Sequence, residues 1–308
     1  MTVDEAFDRI REIGVDTETI YTCFVTDRSR RLLGIVTVKD LLLNKKSCII
    51  NDIMEENIIF ANTLDDKEEV AGMFEKYDIL ALPVVDKERR LVGMVTVDDA
   101  IDVIQDEATE DIEKMAAILP SDKAYFRTGV FSTFKARIPW LMLLMISATF
   151  TGAIISSFEN RLTAFPALIA FIPMLMDTGG NSGSQASVTV IRALALGELE
   201  PRDAPKILFK EIRVALLLGL SLAVACFFKL LLIDRLIFGQ PFTFMICFTV
   251  AFALFITVII AKAVGCSLPL LAKSLGLDPA VVASPFITTV IDSVALFLYC
   301  IISINILS

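Results

Sequence analysis

The chain of 308 residues contains no histidine. That excludes imidazole-ligated metal centres and histidine-based acid–base chemistry. No other pairing of nucleophile and base stands out, so the chain does not read as an enzyme. Cysteine is sparse and unpaired: Cys23, Cys48, Cys226, Cys247, Cys266 and Cys300 form no CxxC, and four of the six lie in apolar stretches, where cysteine acts as a small hydrophobe. Neither a disulfide framework nor a zinc site is expected. The start, MTVDEAFDRIRE, is charged and amphipathic, unlike a signal peptide. Charge is scarce in the second part of the chain. Residues 138–308 carry 9 acids and 10 bases; residues 1–137 carry 28 acids and 18 bases, so +1 and −10 make up the net −9. With 55% hydrophobic residues, this asymmetry predicts an acidic soluble region followed by a membrane domain. The acidic sign argues against nucleic acid or anionic lipid as partner of the soluble region. It suits a cation, and solubility alone would also explain it.

The soluble region repeats. Thr2-Val3-Asp4-Glu5 and Thr63-Leu64-Asp65-Asp66 each offer an N-cap Thr with an acid three residues on, ahead of an amphipathic helix. A strand follows, Ile20–Val25 or Ala81–Val85, then a polar turn, Asp27–Arg30 or Asp86–Arg90. Gly34-Ile-Val-Thr37-Val-Lys-Asp40 and Gly93-Met-Val-Thr96-Val-Asp-Asp99 then lead into second helices, the two glycines 59 residues apart. This pattern resembles a pair of CBS domains, and G-h-h-T-x-x-D is specific to them. The resemblance implies that ATP or another adenine nucleotide binds at Thr37, Asp40 and Thr96. Thr and Asp at a strand-to-helix junction are equally N-caps. The second copy has an extended lead-in, Met54–Asn62, where the first has only Met1, so we expect a truncated start.

The stretch VDDAIDVIQDEATEDIEKMAAI, from residue 97, places Ala100, Ile101, Ile104, Ala108, Ile112, Met115 and Ala116 at helical spacing and crowds acids around them. Glu110 with Lys114 is the exception to a lack of basic i,i+4 partners. Such a helix is either a solvated acidic surface or one that cations hold compact.

Five apolar spans follow, at 138–158, 162–196, about 207–233, about 242–271 and about 279–305. Lys123, Arg127, Lys135 and Arg137 precede the first, Arg192, Arg202, Lys206, Lys210 and Arg213 lie between the second and third, and Lys273 between the fourth and fifth. Only Arg161, Lys229 and Arg235 fall on the other side, which predicts a cytosolic N-terminal region and an outside C-terminus. In the fifth span Ser284, Thr288 and Asp292 are four apart and share a face; in the second, Asp177, Asn181 and Gln185 do the same. Acids and amides at membrane depth are functional suspects. The bland readings are a neutral, hydrogen-bonded Asp292, with no matching intramembrane base evident, and small-residue packing at Gly179, Gly180 and Gly183. Pro285 is expected to free the carbonyl of Val281.

The run Gly-Gly-Asn-Ser-Gly-Ser-Gln at 179–185, with Asp278-Pro279 and Asp292 in the last span, resembles the MgtE family of magnesium transporters, and the likeness extends over essentially the whole chain. It implies cytosolic α/β tandem CBS domains, a long connecting or plug helix, and an all-α membrane domain of five helices. The expected divisions are residues 1–50 (an N-terminally incomplete CBS domain), 51–106 (a second), 107–136 (plug helix and linker) and 137–308 (pore). The family usually carries a further acidic helical domain ahead of the CBS pair. The resemblance further implies a multi-pass protein of the cell membrane, homodimeric, surrounded by lipid and with no nucleic-acid partner. Its pore is lined by the second and fifth spans and passes hydrated Mg²⁺ at Asp292, Thr288, Ser284, Asn181, Gln185 and Gly180. Asp177 joins that set where the family can have Gly, and Thr288 and Ser284 replace the usual Ala and Asn. Regulatory Mg²⁺ is implied at Asp78, Asp99, Asp102, Glu107, Glu110, Asp111 and Asp278, with Glu110 and Asp278 sharing an ion. A Mn²⁺ or Co²⁺ transporter of the same fold, or a nucleotide sensor without transport, are the alternatives; oxygen ligands disfavour softer metals.

Overall fold

The structure is a computed structural model that describes residues 1–15, 17–121, 123, 125–163, 165–240, 242–282 and 284–307. The chain divides into two compact units, Met1–Thr109 and Glu110–Ser308.

The first unit holds the two repeat copies, a tandem CBS fold. In the first copy, helix α1 (Val3–Ile13) is opened by a reciprocal capping box, Thr2 with Glu5. Strands β1 (Thr22–Thr26) and β2 (Leu32–Thr37) pair antiparallel, and short helices α2 (Val38–Leu43) and α3 (Ile50–Ile53) follow. The second copy adds strand β3 (Ala61–Asn62), parallel to β4 (Ala81–Val85), which pairs antiparallel with β5 (Leu91–Thr96); α4 (Lys67–Tyr77) stands between β3 and β4. Both hairpins turn by the same device. Asp27 Oδ1 accepts the N–H groups of Ser29 and Arg31, and Asp86 Oδ1 those of Glu88 and Arg90, with Arg30 and Arg89 left-handed at φ 64° and 60°. The first copy has two strands where the second has three. One sequence expectation is corrected: α4 is capped by Asp66, whose Oδ1 accepts from Glu68 N, not by Thr63. Asp65 instead bonds back to the N–H of Asn62 and tightens the turn before the helix.

Helix α5 (Val97–Met115) spans the division between the units. It stops short of the expected Ile118 because Ala117 turns left-handed at φ 57° and Ile118 N–H bonds to Glu113 O.

The second unit is helical: α6 (Val130–Leu162), α7 (Pro166–Ile169), α8 (Ile172–Ala195), α9 (Ala204–Phe228, prolonged by π-type turns over Lys229–Ile237), α10 (Phe244–Ser274) and α11 (Ser284–Leu307). Among the described residues four helices are long and apolar enough to cross a membrane: α6, the α9 stretch, α10 and α11. The expected fifth, α8, has 24 residues but carries the polar run. Helix α10 is central, packing on α8, α9 and α11, and half of its most apolar stretch is buried. None of α6's is, and its Leu141, Met142, Met145, Ile146 and Phe150 are exposed as a lipid-facing helix requires. The side chain of Arg161, assigned to the outer side, lies outside the described residues.

The fifth span is also not continuous. A 3₁₀ turn over Pro279–Val281 precedes α11, which starts at Ser284. Pro285 therefore sits in the first helical turn, where a missing N–H has no intrahelical partner to lose. The Val281 carbonyl is not opened out of a longer helix.

Candidate ion pathway and its regulatory acids

Helices α8 and α11 meet along small residues. A Cβ built on Gly180 would lie 3.2 Å from Thr288 Cγ2 and 3.4 Å from Asp292 Oδ1, so the Asp292 carboxylate rests against the bare backbone of α8. One turn along, Ser184 Oγ and Ser284 Oγ are hydrogen bonded at 2.7 Å. The hydroxyls of Thr288 and Thr289 both donate to Pro285 O, at 2.8 and 2.9 Å. Gly183 and Gly265 bring α8 and α10 into backbone contact: a Cβ on Gly265 would collide with the Gly183 carbonyl oxygen, and one on Gly183 would lie 3.0 Å from Ala261 O. The predicted Asp292, Thr288, Ser284 and Gly180 thus come together.

Asp177, Asn181 and Gln185 form a stripe on the outer face of α8, each exposed, while Gly179, Gly180, Ser182 and Gly183 face inward and are buried. Asn181 Nδ2 donates to Asp177 Oδ1 at 3.1 Å, one turn apart. The glycines that weaken the helix in isolation are those that let it pack.

Within neither unit do the regulatory candidates form a cluster of three acids. Among the described residues no group of three or more Cys, Asp or Glu is placed to hold a metal. In the first unit, Asp78 is the left-handed C-cap of α4, Asp99 accepts from Thr96 Oγ1 at 3.0 Å, Asp102 lies on α5, and Glu107 is paired with Lys67 at 2.8 Å. The other three, Glu110, Asp111 and Asp278, belong to the second unit. The side chains of Glu110 and Asp278 are brought together, with Lys114 Nζ between them at 2.7 Å from Glu110 Oε1 and 2.8 Å from Asp278 Oδ2. Burial would lower the pKa of the Lys114 ammonium, but the bonds it donates to Asp278 and Glu110 outweigh this and the net shift is upward.

Of the residues considered for nucleotide, Thr37 and Asp40 form a capping box, and Thr96 donates its hydroxyl to Asp99. Thr37 Oγ1 accepts from Asp40 N, while Asp40 Oδ2 accepts from the N–H and the hydroxyl of Thr37. These contacts, the hydroxyl first, hold the Asp40 carboxyl below its usual range. Cavities of about 670 and 230 Å³ in the two copies are lined by other residues, among them Ile10, Cys23 and Val36 in the first and Val70, Val84 and Val95 in the second.

A model of divalent cation transporters of the MgtE type matches residues 172–302, and the CBS-domain model matches 1–46 and 50–106. The chain is 39% identical over 300 residues to the magnesium transporter MgtE of Thermus thermophilus, covering 97% of this chain and 65% of the relative. It is 35% identical over 298 residues to that of Bacillus subtilis, covering 97% and 64%. The chain is thus similar to MgtE transporters along nearly its whole length. Among solved structures, the cytosolic domain of the Mg²⁺ channel MgtE in complex with ATP is 43% identical, covers 33% of this chain and 42% of that one, and gives a TM-score of 0.33. The chain spans just under two thirds of the length of the MgtE relatives named above.

One feature of this chain escaped the sequence reading, which found no base at membrane depth. Lys262 lies in the middle of α10, 5% exposed, with its Nζ 3.8 Å from Glu211 Oε2 of α9. The Lys262 side chain is buried, at 6% exposure, and that of Glu211 is largely covered, at 13%. The base is therefore matched to Glu211 rather than Asp292. The signal was present as a lone Lys in an apolar run and a lone Glu near the start of the third span, 51 residues apart.

Proposed function

We propose that the chain is the sensor and pore of a homodimeric transporter that passes hydrated Mg²⁺ across the cell membrane. The carrying observation is the exposed stripe Asp177–Asn181–Gln185 on α8, beside the Asp292 carboxylate held against Gly180. An acid and two amides cannot face hydrocarbon without a large penalty. A second copy covering this face would place two Asp292 carboxylates and two stripes around a shared water-filled path. Mg²⁺ sheds water reluctantly, and one carboxylate per subunit ringed by amide, hydroxyl and carbonyl oxygens suits an ion that keeps its hydration. Weak binding at successive levels lets it leave. The basic residues flanking the spans support a cytosolic sensor and an outside C-terminus.

For control, Mg²⁺ would bind Asp78, Asp99, Asp102, Glu107, Glu110, Asp111 and Asp278 and favour the closed pore, because a divalent ion offsets the repulsion of acids brought together. All of these donors are carboxylate oxygens, which fit Mg²⁺. An adenine nucleotide at Thr37, Asp40 and Thr96 is the subordinate proposal; it would have to exchange the caps for its ribose and phosphates.

The test is flux into vesicles containing the chain. Asp292→Ala should cut Mg²⁺ flux at least about tenfold, since the ion loses its only deep carboxylate in α11. Equal flux in the two forms would refute the pore assignment. A pore that passes Mn²⁺ or Co²⁺ but not Mg²⁺ would keep the pathway and change the cargo.

A further inference from the structure

We infer that Lys114 is a tethered counter-cation at the junction of α5 and the entry to α11: it holds Glu110 and Asp278 together when divalent ion is scarce, and Mg²⁺ must displace it to bind that pair. The inference rests on the reading of Glu110 and Asp278 as a Mg²⁺-binding pair.

The ammonium occupies the space between the two acids. It lies 2.7 Å from one and 2.8 Å from the other, joining residues 164 apart in sequence, with its side chain 23% exposed. Asp278 is not free to move away. Its Oδ1 accepts the N–H of Ala280 at 2.8 Å, capping the turn that delivers the chain to Ser284 and so to Thr288 and Asp292. Lys114 stands in the last turn of α5, where the helix dipole favours a cation. The lysine therefore ties the end of the acidic helix to the cap ahead of α11.

Chemistry makes the two cations rivals. An ammonium donating at this distance and a Mg²⁺ ion, bound directly at about 2.1 Å or through its water, require the same oxygens. Two carboxylates alone would present a charge of about −2 to Mg²⁺; with the lysine in place they present about −1, so the ion meets a weaker attraction. The length and charge of residue 114 thereby set the Mg²⁺ concentration at which the junction responds.

The experiment uses the whole chain in detergent, with Mg²⁺ alone as probe and chymotryptic cleavage as readout. The exposed Tyr125 and Phe126, just past α5, are the cleavage sites. Without Mg²⁺, Lys114→Gln should be cut about fivefold faster than wild type, and Lys114→Arg at the wild-type rate, as expected for loss of a partly exposed pair. As Mg²⁺ is added, the midpoint of protection should fall about three- to tenfold in Lys114→Gln and stay put in Lys114→Arg. Lys114→Met, apolar but of similar length, should repeat the Gln result if charge is the cause. A wild type that responds to Mg²⁺ and a Lys114→Gln with an unchanged midpoint overturns the lysine's role while leaving regulation by Mg²⁺ standing. If neither form responds, the Mg²⁺ reading of these acids falls and the competition with it.

Discussion

Lys262 and Glu211 are packed against each other between α10 and α9, whereas Asp177, Asn181 and Gln185 lie exposed along α8 with Asn181 turned onto Asp177. Both sets carry charge into helices of the second unit. The first set closes on itself: cation and anion cancel within one protomer, and neither asks for anything outside. The second does not cancel, since an acid is matched only by amides. In a bilayer, a cancelled pair is a structural element and an uncancelled acid is an opening for a ligand. The difference separates a fastening from a path, although the residue types alone would rank Lys262 as the more suspicious of the two.

The largest expected effect comes from breaking the seam on which the open stripe depends. Helix α10 supports α8 through the contact of Gly265 with the Gly183 backbone, and Gly183 faces Ile291 of α11 in turn. Gly265→Ala puts a methyl into backbone, which no rotamer change relieves, so α8 must move off α10. We expect a loss of about 3 kcal/mol or more, read as a lower unfolding temperature in detergent, together with a fall in Mg²⁺ flux. A stable Gly265→Ala with normal flux would mean the seam does not position the stripe.

Next is the conversion of the closed set into an open one. Lys262→Met keeps the volume and leaves Glu211 largely covered without its cation. Breaking a buried pair costs about 3–5 kcal/mol, but Glu211 is not fully covered and stands 3.8 Å from Nζ, so about 2–3 kcal/mol is expected. Glu211→Gln should cost a similar amount. The double variant Lys262→Met with Glu211→Gln should recover most of the stability of either single one, because it removes both charges at once. Additive losses in the double variant would show that the 3.8 Å approach is not an interaction at all.

The repeat of the first unit was readable because its devices are local. Thr2 with Glu5, Asp27 with the turn it closes, and Thr37 with Asp40 each lie within four residues of their partners. Where reading failed, something outside the window decided. Thr63 lost the cap to Asp66 because the preceding turn took Asp65 for itself. The last span broke before Ser284, so the proline that resembled a mid-helix kink became a first-turn residue. Lys114 was matched correctly to Glu110 four residues back, but its second partner, Asp278, lies far along the chain. The residues proposed for the pathway stand out through the Gly-Gly-Asn-Ser-Gly-Ser-Gln run, since polar groups in an apolar region are rare enough to be noticed singly. The Lys262–Glu211 pair does not, since its meaning lies in the pairing of two helices.

The smallest effect belongs to a closed pair within reach of water. Thr37 and Asp40 satisfy each other at the start of α2 much as Lys262 and Glu211 do within the bundle, but the pair is half-buried and within reach of solvent, which screens the charge. Thr37→Ala removes the hydroxyl and should cost about 1 kcal/mol, the usual value of an N-cap. The pH dependence carries the sign. The folded carboxyl of Asp40 sits below its ordinary value, so its contribution is fully present above the unfolded pKa, about 3.9, and is lost as pH falls through the lower folded one. The stability gap between wild type and Thr37→Ala should therefore hold steady from pH 7 to about 5 and narrow below about 4. A gap that stays constant into acid would assign the loss to the neutral hydrogen bond alone. A gap well above 1 kcal/mol at neutral pH would mean that a pair within reach of water is as strongly coupled as one in the bundle, and the contrast between them would fail.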